Sequence, residues 1–158
     1  MEDLWIFNFE TNKWVEVQMN SQSTKPCARR FHSSVLINNE LFIIGGCHTK
    51  YRPLTDIYSM DLSPFIKTQN IDLLEWKERT FNSSSILSRW GHTSSVFEGK
   101  IYVFGGRFSS DLNDIVVIDI EKETMKSLKT TSNAPKPRRR HSGCFMGSSL
   151  IIFGGFNG

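Results

Sequence analysis

At 158 residues, 39% hydrophobic and 22% charged, the chain has the composition of one globular domain, which excludes a disordered tail or a fibrous repeat. Its longest apolar runs, such as Leu41 to Ile44 and Ile115 to Ile118, are four residues against about 20 for a membrane-spanning helix, and the first fifteen residues lack the basic start and apolar stretch of a signal peptide. The expectation is an intracellular, cytoplasmic protein with no membrane partner, reduced thiols at Cys27, Cys47 and Cys144, and a net charge of +3 too small to mark a nucleic-acid binder.

Short β-branched and aromatic runs alternate with Gly, Asn, Ser and Pro clusters, which predicts many short strands. Residues 3–17 read as two strands, one from Asp3 to Asn8 and one carrying Trp14. Arg29 then opens a unit that repeats. His32 stands three residues on, followed by Ser33, and thirteen residues after His32 the run Leu41-Phe-Ile-Ile ends in Gly45-Gly46. A strand from Asp56 to Asp61 follows, and then Trp76 after an insertion of nine residues. The second unit has Arg89, His92, Thr93, Ile101-Tyr-Val-Phe, Gly105-Gly106, a strand from Asp114 to Asp119, and Met125. The third has Arg138, His141, Ser142, Leu150-Ile-Ile-Phe and Gly154-Gly155.

A unit of about 50 residues with four strands, a glycine pair and a late large apolar residue resembles the kelch repeat, one blade of a β-propeller. The resemblance spans essentially the whole chain and implies an all-β fold of kelch-type blades, each of four antiparallel strands a to d, about three blades' worth in this chain. Residues 29–79 and 89–129 are expected to be full blades, 3–17 strands c and d of a split blade, and 138–158 strands a and b of a split blade. The repeated Arg29, His32, Gly45, Gly46, Arg89, His92, Gly105, Gly106, Arg138, His141, Gly154 and Gly155 then read as architecture: the glycines turn where a side chain would collide, and the imidazoles bond neighbouring backbone or hydroxyl groups. Asn8, Asp61 and Asp119 are placed to bond the turn into strand d, whose large apolar residue is expected to pack under the next blade.

Propellers close with 4 to 8 blades. The histidine spacings are 60 and 49, and running from His141 through Gly158 into a second copy's His32 again gives 49. Two readings stand: a piece of a longer propeller, or a homodimer completing six blades.

No pair of histidines has a zinc spacing and no phosphate-binding or nucleophile motif is present, so neither a metal nor another cofactor is expected and the chain is not read as an enzyme. Tyr51 near Cys47 and His48 keeps a metal-dependent, oxidase-like propeller as an alternative. Lys136-Pro-Arg-Arg-Arg140 keeps weak nucleic-acid binding as another, although a loop between blades accounts for it. Asn82-Ser-Ser84 fits a glycosylation site, discarded for want of a signal peptide. Residues 62–75, with Phe65, Ile66 and Ile71 to Leu74, are either a second contact or a cover for the outer strand.

The loops entering strand a and leaving strand b share one face. They carry Arg30, Phe31, Tyr51, Arg52, Trp90, Arg107, Phe108, Arg139 and Arg140. Basic groups interleaved with aromatics suit a protein partner of acidic character, in the manner of the ubiquitin-ligase adaptors and cytoskeletal scaffolds of the family it resembles.

Overall fold

The computed structural model describes residues 3–18, 24–82, 87–131 and 133–158. Strands β1 (Trp5–Asn8) and β2 (Lys13–Glu16) form a two-stranded sheet. The next sheet runs β3 (Ser33–Ile37), β4 (Glu40–Ile44), β5 (Ile57–Asp61), β6 (Trp76–Arg79), and the one after it β7 (Thr93–Phe97), β8 (Lys100–Arg107), β9 (Asp111–Asp119), β10 (Thr124–Leu128). A final pair is β11 (Ser142–Met146) and β12 (Ser149–Phe153). Every pairing is antiparallel between sequence neighbours, the meander of a propeller blade.

Local chemistry sets the turns. Asn8 Oδ1 accepts from the N–H groups of Glu10 and Thr11, both at 2.9 Å, Asp61 Oδ1 from that of Ser63 at 2.8 Å, and Asp119 Oδ1 from that of Lys122 at 3.1 Å. Each short side chain ends strand c by bonding the backbone of the turn that follows.

The apolar core lies between sheets. Phe42, Ile44 and Ile57 of the first four-stranded sheet meet Ile101, Val103, Val116, Ile118 and Met125 of the second. Both faces of such a strand are covered, so β4 and β8 read as continuous apolar runs and not as alternating ones. Strand d differs from the sequence expectation. Trp76 packs with Leu4 and Ile6 of the sheet before it, and Met125 with Ile37 and Phe81 of the sheet before it. Period-two alternation decides this, because Trp76 pairs with Met60 and Met125 with Ile118, residues whose side chains face the preceding sheet.

The 62–75 insertion is not all loop. It forms α1 (Ser63–Thr68), started by Pro64 in its first turn and ended by Gln69 in the left-handed region, then a single 3-10 turn at Ile71–Leu73. Leu62, Phe65, Ile71 and Leu74 fold onto Val17, Met60 and Trp76, so the insertion caps the core between the first two sheets. Of the discarded glycosylation pattern, Ser83 and Ser84 lie outside the described residues, while Asn82 Oδ1 accepts from Met125 N–H at 2.8 Å. The three cysteines are free thiols, Cys47 buried and the others exposed. Among the described residues no helix is long and apolar enough to cross a membrane.

Candidate binding face

The repeated residues come together at the junctions between sheets. Arg29 forks onto Asp56 at 2.7 and 2.8 Å and also donates to the Gly45 carbonyl at 3.1 Å. Arg89 repeats this with Asp114 at 2.8 and 2.9 Å and the Gly105 carbonyl at 3.0 Å. His92 Nε2 lies 2.8 Å from Ser33 Oγ of the preceding sheet, and His141 Nε2 lies 2.9 Å from Thr93 Oγ1. Burial, with the charge of Arg89 behind it, lowers the pKa of His92 to about 3. The imidazole is therefore neutral and shares one proton with the hydroxyl. The Asp56 and Asp114 forks were legible only as acids opening strand c at a fixed place in each unit.

The three segments entering strand a each make a backbone bridge to the segment leaving strand b: Arg30 with Cys47, Trp90 with Arg107, Arg139 with Phe156. This brings the loop aromatics into one stack. Phe31 and Trp90 ring centroids are 5.4 Å apart, Tyr51 and Trp90 5.2 Å, and Phe31 and Tyr51 6.4 Å with nearly parallel rings. Arginines lie on the rings, Arg30 at 4.5 Å from Tyr51, Arg140 at 4.4 Å from Phe31, and Arg139 at 4.4 Å from Phe156. Such pairs hold guanidinium groups over apolar surface without consuming their donors.

Two of the nominated residues are not presented to solvent. Trp90 is 5% exposed, closed over by Phe31, Tyr51 and the guanidiniums of Arg139 and Arg140, and so acts as the floor of the face. The Arg139 side chain is 14% exposed and bonds both oxygens of Asp111, Oδ2 at 2.6 Å, while Arg107 lies 3.3 Å from Oδ1 of the same carboxylate. Burial pushes the Asp111 carboxyl up, but bonds from Arg139, the Gly158 N–H and Arg107 outweigh it and hold the pKa below the usual carboxylate value. Asp111 escaped the sequence reading because its partner Arg139 enters the neighbouring sheet. Arg30, Tyr51, Arg52, Phe108 and Arg140 are exposed. Asp111→Ala leaves Arg139 and Arg107 without their carboxylate and is expected to cost about 3 kcal/mol in chemical denaturation.

Two hollows flank the stack, one of about 320 Å³ lined by Arg30, Cys47, His48 and Lys50 among others, and one of about 420 Å³ lined by Arg107, Ser109, Ser110 and Asp111 among others. Among the described residues no three His, Cys, Asp or Glu side chains gather as a metal site, and Tyr51 stacks on aromatic rings. In the basic run, Arg138 donates to the carbonyls of Lys136 and Gly154 and Arg139 to Asp111, so its charges are split between interior and surface.

The sequence matches the family model described as the KLHDC2/KLHL20/DRC7 Kelch-repeats domain over residues 65–158, and the Kelch motif over residues 28–63. The chain belongs to the kelch-repeat family. Among curated proteins this kelch chain is 30% identical over 142 residues to Rho GTPase-activating protein gacHH of Dictyostelium discoideum, covering 85% of the chain and 9% of that protein. It is 27% identical over 165 residues to Tip elongation aberrant protein 1 of Schizosaccharomyces pombe, covering 99% of the chain and 13% of that protein. Kelch domain-containing protein 3 of Rattus norvegicus is 25% identical over 134 residues, covering 80% of the chain and 34% of that protein. The chain thus spans about a third or less of the length of these relatives.

Proposed function

We propose that this kelch chain is a non-catalytic protein-interaction module that binds an acidic polypeptide segment on the face formed by Arg30, Phe31, Tyr51, Arg52, Arg107, Phe108 and Arg140, with Trp90 and Arg139 holding that face from beneath. The observation that carries the reading is the balance of charge on the face: guanidiniums rest on aromatic rings, and the carboxylate among them, Asp111, is already engaged by Arg139 and Arg107. Arg30 and Arg140 keep donors for a partner's carboxylates, and the rings supply apolar area. The family supports a role in protein interaction, and relatives named for GTPase activation and tip elongation fit scaffolding. The same reading has the remaining blades supplied by a second copy or by further sequence.

Backbone strain marks two of the residues. Phe31, Gly91 and Arg140 occupy the same place, just before the repeat histidine, and all are left-handed with φ of 56°, 68° and 56°. Glycine sits there at ease, whereas Phe31 and Arg140 each hold a conformation costing about 1 kcal/mol. Arg140→Gly keeps the N–H that donates to the Gly91 carbonyl. Its stability is expected to stay within about 1 kcal/mol of wild type, because relieved strain offsets added backbone freedom, while affinity for a glutamate-rich peptide falls about tenfold. Calorimetric titration with thermal melting reads both, and unchanged affinity would remove Arg140 from the site.

A further inference from the structure

The two hollows beside the aromatic stack differ in charge. The one of about 420 Å³ contains Asp111, a carboxylate that opposes a second anion there. The one of about 320 Å³ is lined by Arg29, Arg30, His48 and Lys50, and no carboxylate of the described residues lines it.

Most of its donors are unengaged. Arg29 is held by Asp56 and the Gly45 carbonyl. The exposed Arg30 guanidinium rests on the Tyr51 ring at 4.5 Å, and among the described residues no carboxylate or hydrogen bond engages its side chain. The exposed Lys50 ammonium likewise meets no partner among them. His48 Nδ1 lies 3.0 Å from Thr49 Oγ1, which leaves Nε2 for a ligand.

Backbone bonds fix these groups relative to one another, although they come from two loops. Arg30 N–H donates to the Cys47 carbonyl at 3.1 Å and Cys47 N–H to the Arg30 carbonyl at 2.9 Å, while Cys47 also bridges to Pro53. His48 N–H donates to the Arg52 carbonyl at 3.1 Å and closes the loop. Inside it Lys50 and Tyr51 are both left-handed, with φ of 59° and 54°. Two adjacent non-glycine residues in that region are strained, a condition that gathers at binding sites.

We propose that this hollow takes the phosphate of a phosphorylated serine or threonine in the partner, with Arg30 and Lys50 as its cations and His48 as a further hydrogen-bonding group. This rests on the reading of the face as the site of an acidic polypeptide and names the anion the site selects. A carboxylate has two oxygens in one plane, which a single guanidinium fork satisfies. Donors arriving separately from residue 30 and residues 48–50 suit instead a phosphate monoester, with its three acceptor oxygens and about two negative charges. A phosphodiester chain would require cations in a row. The run Arg138 to Arg140 does not supply one, because Arg138 and Arg139 are engaged by the Gly154 carbonyl and Asp111. The Tyr51 and Phe31 rings give the residues flanking the phosphate apolar area, which suits a peptide.

The test is a fluorescence-anisotropy titration of the full chain with one glycine-rich peptide carrying phosphoserine, glutamate or serine at its centre. The phosphoserine peptide is expected to bind about tenfold tighter than the glutamate peptide, and serine weakest. Lys50→Asn removes one cation with a residue at ease in the left-handed region. It is expected to erase that preference while leaving affinity for a glutamate-rich peptide within about threefold of wild type, which also shows that the variant is folded. Phosphoserine binding no tighter than glutamate, or a preference that survives Lys50→Asn, would overturn the phosphate assignment while an Arg140-dependent glutamate-rich peptide still marks the face. Binding of neither the phosphoserine nor the glutamate-rich peptide to wild type would remove both. Inorganic phosphate or an oligonucleotide competing at the phosphopeptide's own affinity would give the hollow to a free ion or to nucleic acid, and either result would overturn the peptide as its ligand.

Discussion

Gly105→Val is expected to unfold the chain. Gly105 has φ of 61°, and a Cβ there would stand 2.8 Å from the Arg138 carbonyl oxygen, 3.0 Å from the His141 ring and 3.2 Å from the Leu112 carbonyl oxygen. Two of these are backbone atoms fixed by hydrogen bonds, since Gly106 N–H donates to the Arg138 carbonyl and Arg138 N–H to the Leu112 carbonyl, and neither can rotate aside. Strain at a β-branched residue in the left-handed region adds to the overlap, and together they cost about 4 kcal/mol or more, most of the stability of a small domain. Gly99→Ala is the control. It has φ of 69° in the β7–β8 turn but no atom within 4 Å of its Cβ, and is expected to cost only about 1 kcal/mol. Urea denaturation followed by circular dichroism separates the two, and a fully folded Gly105→Val protein would refute the junction geometry.

The second large effect is acid lability centred on His92. Burial first, and the nearby Arg89 charge second, lower its pKa from 6.5 to about 3. Below pH 6.5 the unfolded chain takes up a proton that the folded chain refuses, so acid favours the unfolded state. Stability is therefore complete above about pH 6.5, falls as the pH drops through the window between 6.5 and 3, and levels off near the folded value. At about 1.4 kcal/mol per pH unit the loss across that window reaches about 4 kcal/mol. His141 is also lowered, by burial and then by the adjacent Arg138 charge, and acts in the same direction. His92→Gln keeps a polar reach to Ser33 without a titrating group. It is expected to lower stability at pH 7.5 but to flatten the dependence down to pH 4.5. A wild-type urea midpoint that stays constant over that interval would show that His92 protonates freely in the folded state.

The blades were readable because each strand carries its own signal: Phe42-Ile-Ile and Ile101-Tyr-Val-Phe mark strands buried on both faces, the glycine pairs mark collisions, and Asn8, Asp61 and Asp119 mark turns. What stayed hidden depends on which neighbour a side chain meets. Trp76 and Met125 face the preceding sheet, a choice set by pairing register with Met60 and Ile118 that no single strand encodes. Helix α1 is six residues, too short to show a helical period. On the face proposed for binding, Arg30, Tyr51 and Arg140 are exposed, as expected of their loop positions, but the burial of Trp90 and the engagement of Arg139 by Asp111 arise where loops from different sheets cross.

The most direct measurement of the central claim is an amide hydrogen-exchange footprint of a glutamate-rich peptide on the full chain at low and high salt. Protection is expected at residues 30–32, 47–52, 107–111 and 139–141, weakening as salt screens the arginines, with the outer strands β6 and β10 unchanged. A footprint on those outer strands or on α1, or protection that does not respond to salt, would contradict the assignment of this face to an acidic partner.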